Sequence, residues 1–178
     1  VSTGEIVPTY QTLAWDSLQP PVLLRQLQEF CEERPDLWQT WSARVEQALR
    51  MRLDGEAVLA AERLTESFPL MPRAWLELAR VHRTHSRHAE EEQAAARAVA
   101  LSPGWDEAAR EHAHVLEMLG RPEEAIAVLR RACQLDPLNG ANHGCLADVL
   151  RRLGRRGEAL DTLRSALESS PYYVWGWN

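Results

Sequence analysis

The sequence predicts an all-α chain, an alpha-alpha array in which pairs of helices stack one on the next. Three observations predict it. Pro35, Pro69, Pro103, Pro137 and Pro171 recur at a constant interval of 34 residues, and a fixed period of that size is what a stacked repeat leaves in a sequence. Small side chains keep the same beat, as in Val45, Ala79, Ala113 and Ala147, in Ala57, Ala125 and Ala159, and in Ala98, Ala132 and Ala166 with Leu64 in the same column. Residues this small let helices approach closely, because the interaxial distance is set by the side chains at the contact. Between them apolar groups fall at helical spacing, as in Ala113, Leu116 and Leu119 or Ala125, Val128, Leu129 and Ala132.

Taken in order, residues 1–37 form an N-terminal extension with a capping helix. Pro8, Thr9, Thr12 and Trp15 carry no clear periodicity, whereas Pro20 and Pro21 open a helix over Val22–Arg34 with Leu23, Leu24, Leu27 and Phe30 on one side. Four units follow at 38–71, 72–105, 106–139 and 140–173, each a helix, a short turn and a second helix. The turns read L-G-R-P-E-E-A at 119–125 and L-G-R-R-G-E-A at 153–159. Gly120 and Gly154 suit the left-handed residue that ends a first helix, and Pro122 suits the opening of a second. Second helices stop before the column proline, since the residue preceding proline is pushed out of the helical region. In the unit at 72–105, His85 and Ser86 replace the Leu-Gly turn. Glu91 stands there in a small-residue column, ahead of Ala94, Ala95 and Ala96, so looser packing is expected in that helix. Residues 174–178 begin a further unit, with Trp177 in the column of Trp41 and Trp75.

Composition narrows the chemistry. The 178 residues carry a net charge of -6, and all 20 basic side chains are Arg. With no Lys, a P-loop lysine, a Schiff-base lysine and a kinase-type phosphate partner are all excluded. The acidic balance argues against nucleic acid, whose phosphates call for a basic surface. Cys31, Cys133 and Cys145 are odd in number and form no C-x-x-C pair, which suits a reducing compartment, so a cytoplasmic location is expected. No apolar run reaches the ~18 residues of a membrane span, and the start lacks a signal-peptide pattern and an initiator Met, as a processed or excised segment would. No catalytic motif is found, and no cofactor is expected. His82, His85 and His88 are three apart and His112 and His114 follow, but converging zinc ligands are not expected, because His82 and His112 fall in columns that face the interior.

The pattern resembles the tetratricopeptide repeat, W-x2-L-G-x2-Y, A-x3-F and P. It is carried at 140–173 by Leu146, Ala147, Leu150, Leu153, Gly154, Ala159, Leu163, Ala166 and Pro171, with His143 in place of the aromatic. At 106–139 it is carried by Ala113, Leu116, Ala125, Leu129, Ala132 and Pro137, and at 72–105 by Trp75, Leu78, Ala79, Ala98 and Pro103. The unit at 38–71 keeps Trp41, Val45, Ala57 and Pro69 but is divergent. The resemblance spans residues 38–173. It implies a right-handed superhelix of antiparallel helix pairs whose concave groove binds a peptide or partner protein.

Carrying over the family's groove columns gives Glu46, Arg80, His114 and Asp148 in one line, Arg73, Glu107 and Ala141 in another, and Ser42, Leu76, Arg110 and Gly144 in a third. A fourth line holds Arg50, Thr84, Met118 and Arg152. The Lys and Asn of the family's carboxylate clamp are absent; Arg73, Arg80 and Arg110 could substitute and take an acidic peptide, unless Glu77, Glu107 and Glu111 neutralise them. Reversing Arg80 and Arg110 is expected to abolish binding without loss of stability. The resemblance also permits a non-catalytic targeting module of a larger enzyme such as a glycosyltransferase. The closing P-Y-Y-V-W-G-W-N faintly resembles the aromatic repeat of prenyltransferase alpha subunits, and Tyr172, Tyr173, Trp175 and Trp177 are expected to support weak self-association.

Overall fold

A computed structural model describes residues 19–169 of the chain. The extension over 1–18, Pro171, the aromatics Tyr172, Tyr173, Trp175 and Trp177, and the expected start of a further unit at 174–178 lie outside the described residues. Among the described residues there are nine α-helices and no strand. They are α1 Pro20–Glu33, α2 Trp38–Arg50, α3 Asp54–Ser67, α4 Pro72–Thr84, α5 His88–Leu101, α6 Asp106–Met118, α7 Pro122–Leu135, α8 Gly140–Arg152 and α9 Arg156–Ser169. The chain divides into two compact units between Arg87 and His88, so that α1–α4 form one and α5–α9 the other. The fold class is the expected all-α helical repeat.

Local chemistry sets the helix ends. Proline opens α1, α4 and α7, where a missing N–H costs nothing. Acidic residues crowd the first turns of α3, α5, α6 and α7, opposite the positive end of the backbone dipole. Second helices are closed off by Arg34, Phe68, Ser102 and Asp136, each one residue before the column proline. Their N–H groups still bond Phe30 O, Leu64 O, Ala98 O and Ala132 O.

First helices end on one motif repeated four times. Arg52, Ser86, Gly120 and Gly154 occupy one column and have φ of 55°, 56°, 71° and 77°. In each, the next residue's N–H reaches back to the last helical turn, as Leu53 N to Ala48 O, Arg87 N to His82 O, Arg121 N to Leu116 O and Arg155 N to Leu150 O. This is the six-to-one bond of a Schellman cap. Glycine takes the left-handed conformation freely, whereas Arg52 and Ser86 hold it against the clash of Cβ with the backbone.

Inside each unit the small-residue columns are shut. Val45, Ala79, Ala113 and Ala147 are at most 6% exposed, and so are Leu64, Ala98, Ala132 and Ala166. In the first unit Leu23, Leu24 and Leu27 of α1 join this core with Ala57, Ala60 and Ala61 of α3. Arg44 ties the helices from its edge. Its guanidinium bonds Glu56 Oε1 at 2.6 Å, Gln28 Nε2 donates to the same oxygen at 3.0 Å, and the charge lies over the Trp41 ring. In the second unit the core of α6 to α9 centres on Leu116, Ile126, Leu129 and Leu150. Glu91 does not loosen its column as expected: it is 1% exposed and its carboxylate meets His88 Nδ1 at 3.2 Å, among the buried Ala94, Ala95 and Ala98.

The column proline has a second use. Trp41 Nε1 donates to Pro35 O at 3.3 Å, Trp75 Nε1 to Pro69 O at 2.9 Å, and His143 Nε2 to Pro137 O at 3.1 Å. His143 therefore replaces tryptophan by keeping an aromatic N–H six residues after the proline.

Two buried polar groups are unlike their columns. Asn142 is 0% exposed, stands where α4 and α6 have Ala74 and Ala108, and neither of its amide atoms has a hydrogen-bond partner among the described residues. His112, 9% exposed, directs Nε2 to Glu92 Oε1 at 3.3 Å while Nδ1 is buried without a partner. Burial pushes the imidazole below its ordinary 6.5, outweighing the upward pull of Glu92. A neutral ring with Nε2–H donating and Nδ1 as a bare lone pair fits both facts, whereas protonation would bury an orphaned N–H.

The strained caps and the buried polar groups can each be tested by substitution. Ser86→Gly and Arg52→Gly should each raise unfolding free energy by ~0.5–1 kcal/mol in urea titration, since relief of the left-handed strain exceeds the entropy glycine adds to the unfolded chain. Asn142→Ala should be neutral or stabilising by up to ~1 kcal/mol, because it deletes an unsatisfied amide at a position already alanine in two other helices. The His112 contribution is fully present above the unfolded value of 6.5 and is lost as pH falls through the lowered folded value. His112→Gln should therefore flatten the decline in stability below 6.5 relative to the unsubstituted chain, and identical slopes would refute a neutral buried ring.

Candidate functional site

The first helices α2, α4, α6 and α8 carry the residues that could meet a partner, and side-chain register decides which of them face out. The column Glu46, Arg80, His114 and Asp148 is half-buried or exposed throughout. The residue before each of these is Val45, Ala79, Ala113 or Ala147, and the residue after is Gln47, Val81, Val115 or Val149, all eight of them buried. One row of each helix thus stays open between two that are shut. The third expected line splits: Ser42 and Arg110 are half-buried, but Leu76 is 0% exposed and Gly144 is buried, so those two belong to the packing. Arg73 and Glu107 are half-buried at the starts of α4 and α6, and Arg152 is exposed at the end of α8.

In the first unit these residues gather on a carboxylate. Glu77 of α4 is 7% exposed, and its Oε1 accepts from Arg73 Nε at 2.9 Å and from Ser42 Oγ of α2 at 3.3 Å, with Arg80 Nη1 at 3.8 Å. Glu77 thus draws both arginines to one point, and the expectation that Arg80 could be reversed harmlessly has to be corrected. A carboxylate at 80 would face a nearly buried carboxylate at 77, with a cost to stability. Glu46 lies exposed on α2.

The second unit has its own arrangement. Arg110 bonds Asp106 one turn earlier, at 3.1 Å, so its charge is partly met on its own helix. Arg152 of α8 reaches across to Glu117 of α6, with Nη2 to Oε2 at 2.7 Å and Nε to Oε1 at 3.2 Å, a bidentate fork between successive first helices. Asp148 lies 3.3 Å from Arg151, and His114 is exposed. Sequence reasoning singled out Arg152 but missed Glu117. A lone Glu at the end of an amphipathic helix gives no signal until the next first helix is laid beside it.

The histidines are engaged separately. His85 Nδ1 lies 2.7 Å from Val81 O, His88 meets Glu91, and His112 meets Glu92. The thiols of Cys31, Cys133 and Cys145 are pushed up by burial, Cys133 to about 11, which keeps them protonated and weakly nucleophilic.

Comparison with known proteins agrees with this geometry. Two tetratricopeptide-repeat family models match, one over residues 43–104 and one over 106–149. No curated protein matches the chain. Among solved structures, the protein MamA superposes with a TM-score of 0.71 at 16% identity, covering 96% of this chain and 96% of that one. A thermophilic tetratricopeptide-repeat protein of Thermus thermophilus, TTC0263, gives 0.65 at 16% identity over 98% and 99% of the two chains. YrrB, a tetratricopeptide-repeat protein with an unusual peptide-binding site, gives 0.64 at 15% identity over 95% and 87%. Identity this low speaks for fold alone, but the repeat models, the period and the shut columns agree, and the chain belongs to the tetratricopeptide-repeat family.

Proposed function

We propose that this chain is a non-catalytic interaction scaffold that binds a peptide or a partner protein along the faces of its first helices. The observation that carries the reading is the open column, Glu46 and Arg80 in one unit and His114 and Asp148 in the other, held on each helix between two buried rows. The buried rows on either side fix the helix that presents each of these side chains, which lowers the entropy lost when a segment binds along it. Arg73, Glu107, Arg110 and Arg152 flank the column in their respective units.

The charge pattern favours a partner of mixed sign over a bare carboxylate. Arg73 and Arg80 already share Glu77, Arg110 has Asp106, and Arg152 has Glu117, so these cations do not stand ready as a clamp. An occupant would exchange ion pairs with the surface, giving specificity more than raw affinity. The likeness to YrrB adds support, since that protein shares the fold and has a peptide-binding site.

The test is a peptide-array screen on the full chain, followed by titration of the best peptides against the double variant Glu46→Arg, His114→Glu. Both positions are exposed, so helix content should be unchanged. Binding should weaken by ~tenfold or more, equivalent to ~1.4 kcal/mol. Peptides that bind both proteins equally would reject the column as the binding face.

A further inference from the structure

Among the first helices described, α8 begins unlike the rest. Leu37, Met71 and Trp105 precede α2, α4 and α6 and make no side-chain cap, whereas Asn139 precedes α8 and its Oδ1 accepts from Ala141 N at 3.1 Å. Asn139 is followed directly by Gly140, the first residue of α8, and both are half-buried. An asparagine before a glycine is the pair in which a main-chain nitrogen most readily attacks the side-chain amide, because glycine has no Cβ to obstruct the closing ring.

The chemistry balances with water alone. Base removes the proton from Gly140 N, the nitrogen bonds to Asn139 Cγ, and the Cγ–Nδ2 bond breaks with release of ammonia. Water then opens the resulting cyclic imide. Opening at the Cγ–N bond leaves ordinary aspartate. Opening at the main-chain carbonyl leaves isoaspartate, in which the backbone runs through the side chain and is one methylene longer.

The structure sets when that ring can close. Closure needs Cβ of Asn139 and N of Gly140 on the same side of the Cα–C bond, and at the Asn139 ψ of 92° they stand nearly opposite. Turning ψ round pulls Gly140 out of the first turn and Oδ1 off Ala141 N. The cap therefore guards the site, and the ring forms only while the first turn of α8 is open. That turn is poorly held by its own residues. Gly140 and Gly144 disfavour helix, and Asn142 is buried with neither amide atom partnered among the described residues. Against this stand the cap and the bond from His143 Nε2 to Pro137 O at 3.1 Å, whose two ends bracket Asn139.

We infer that Asn139 is a site of spontaneous deamidation, gated by opening of the first turn of α8. The two products act oppositely on that turn. Aspartate retains a capping oxygen and adds a negative charge at the positive end of the helix. Isoaspartate lengthens the chain between Pro137 and His143, which removes the cap and puts the His143 bond out of register. The site does not rest on the binding face proposed above.

The test incubates the full chain in mildly alkaline buffer at body temperature and follows acidic species by ion exchange, with peptide mapping to place the change. Conversion should occur at Asn139 and not at Asn142, whose peptide lies inside the helix. His143→Phe, which keeps an aromatic ring and removes the donor, should speed conversion ~fivefold, the factor that one lost hydrogen bond is worth. Gly140→Ala should slow it ~tenfold or more. In urea, where no turn is left to open, His143→Phe and the unsubstituted chain should convert alike. Asn139 left intact in the folded chain, under conditions that convert it in urea, would overturn the inference. So would equal rates for His143→Phe and the unsubstituted chain without urea, because the turn would then not be the gate.

Discussion

The close approach of helices across columns of very small side chains is the constraint on which the other features depend. Val45 and Ala79 in one unit, and Ala113 and Ala147 in the other, are the small members of one column on successive first helices, and all are buried. With such small side chains buried along the helices the backbones pack closely, and α2 touches α4 as α6 touches α8. That proximity is what lets Ser42 find Glu77 and Arg152 find Glu117. A larger residue in the column would hold these pairs apart before it affected any of the residues that make them.

The same register organises the backbone. Pro35, Pro69 and Pro137 each follow a second helix and present a carbonyl to an aromatic N–H on the next first helix, and the left-handed column ends that first helix in turn. Both devices work with unlike residues. Histidine serves as well as tryptophan because the bond needs an N–H at the right height, and Arg or Ser can stand in for glycine because six-to-one bonding offsets part of the strain. The repeat is defined by geometry and tolerates substitutions that would look disabling in a residue-by-residue comparison.

Electrostatics is arranged locally and repeats less faithfully than packing. Glu77 concentrates two arginines in one unit, while the other spans two helices with Glu117 and Arg152. Packing columns can be identical because each faces the same neighbour, but polar columns answer to different neighbours at each step. This is why the α6–α7 and α8–α9 pairs are alike in their apolar residues while Glu117 of the first stands where the second has Arg151. The variation in charge along a uniform frame is the means by which a repeat made of packing residues acquires selectivity.

The amino-acid sequence determined the fold class, the turn glycines at 120 and 154, the helix-opening prolines and the identity of the buried columns, because these follow from backbone preferences and a period that can be counted. It also placed His82 and His112 inside, from column position alone. It did not disclose that Arg52 and Ser86 share the left-handed conformation of the glycines, that Glu91 is accommodated by His88, or that Arg80 is drawn to a buried carboxylate. Each of those depends on what lies across a helix contact, and charge pairing is short-ranged and leaves no periodic trace. Only the tertiary structure decided which polar side chains are already engaged with one another.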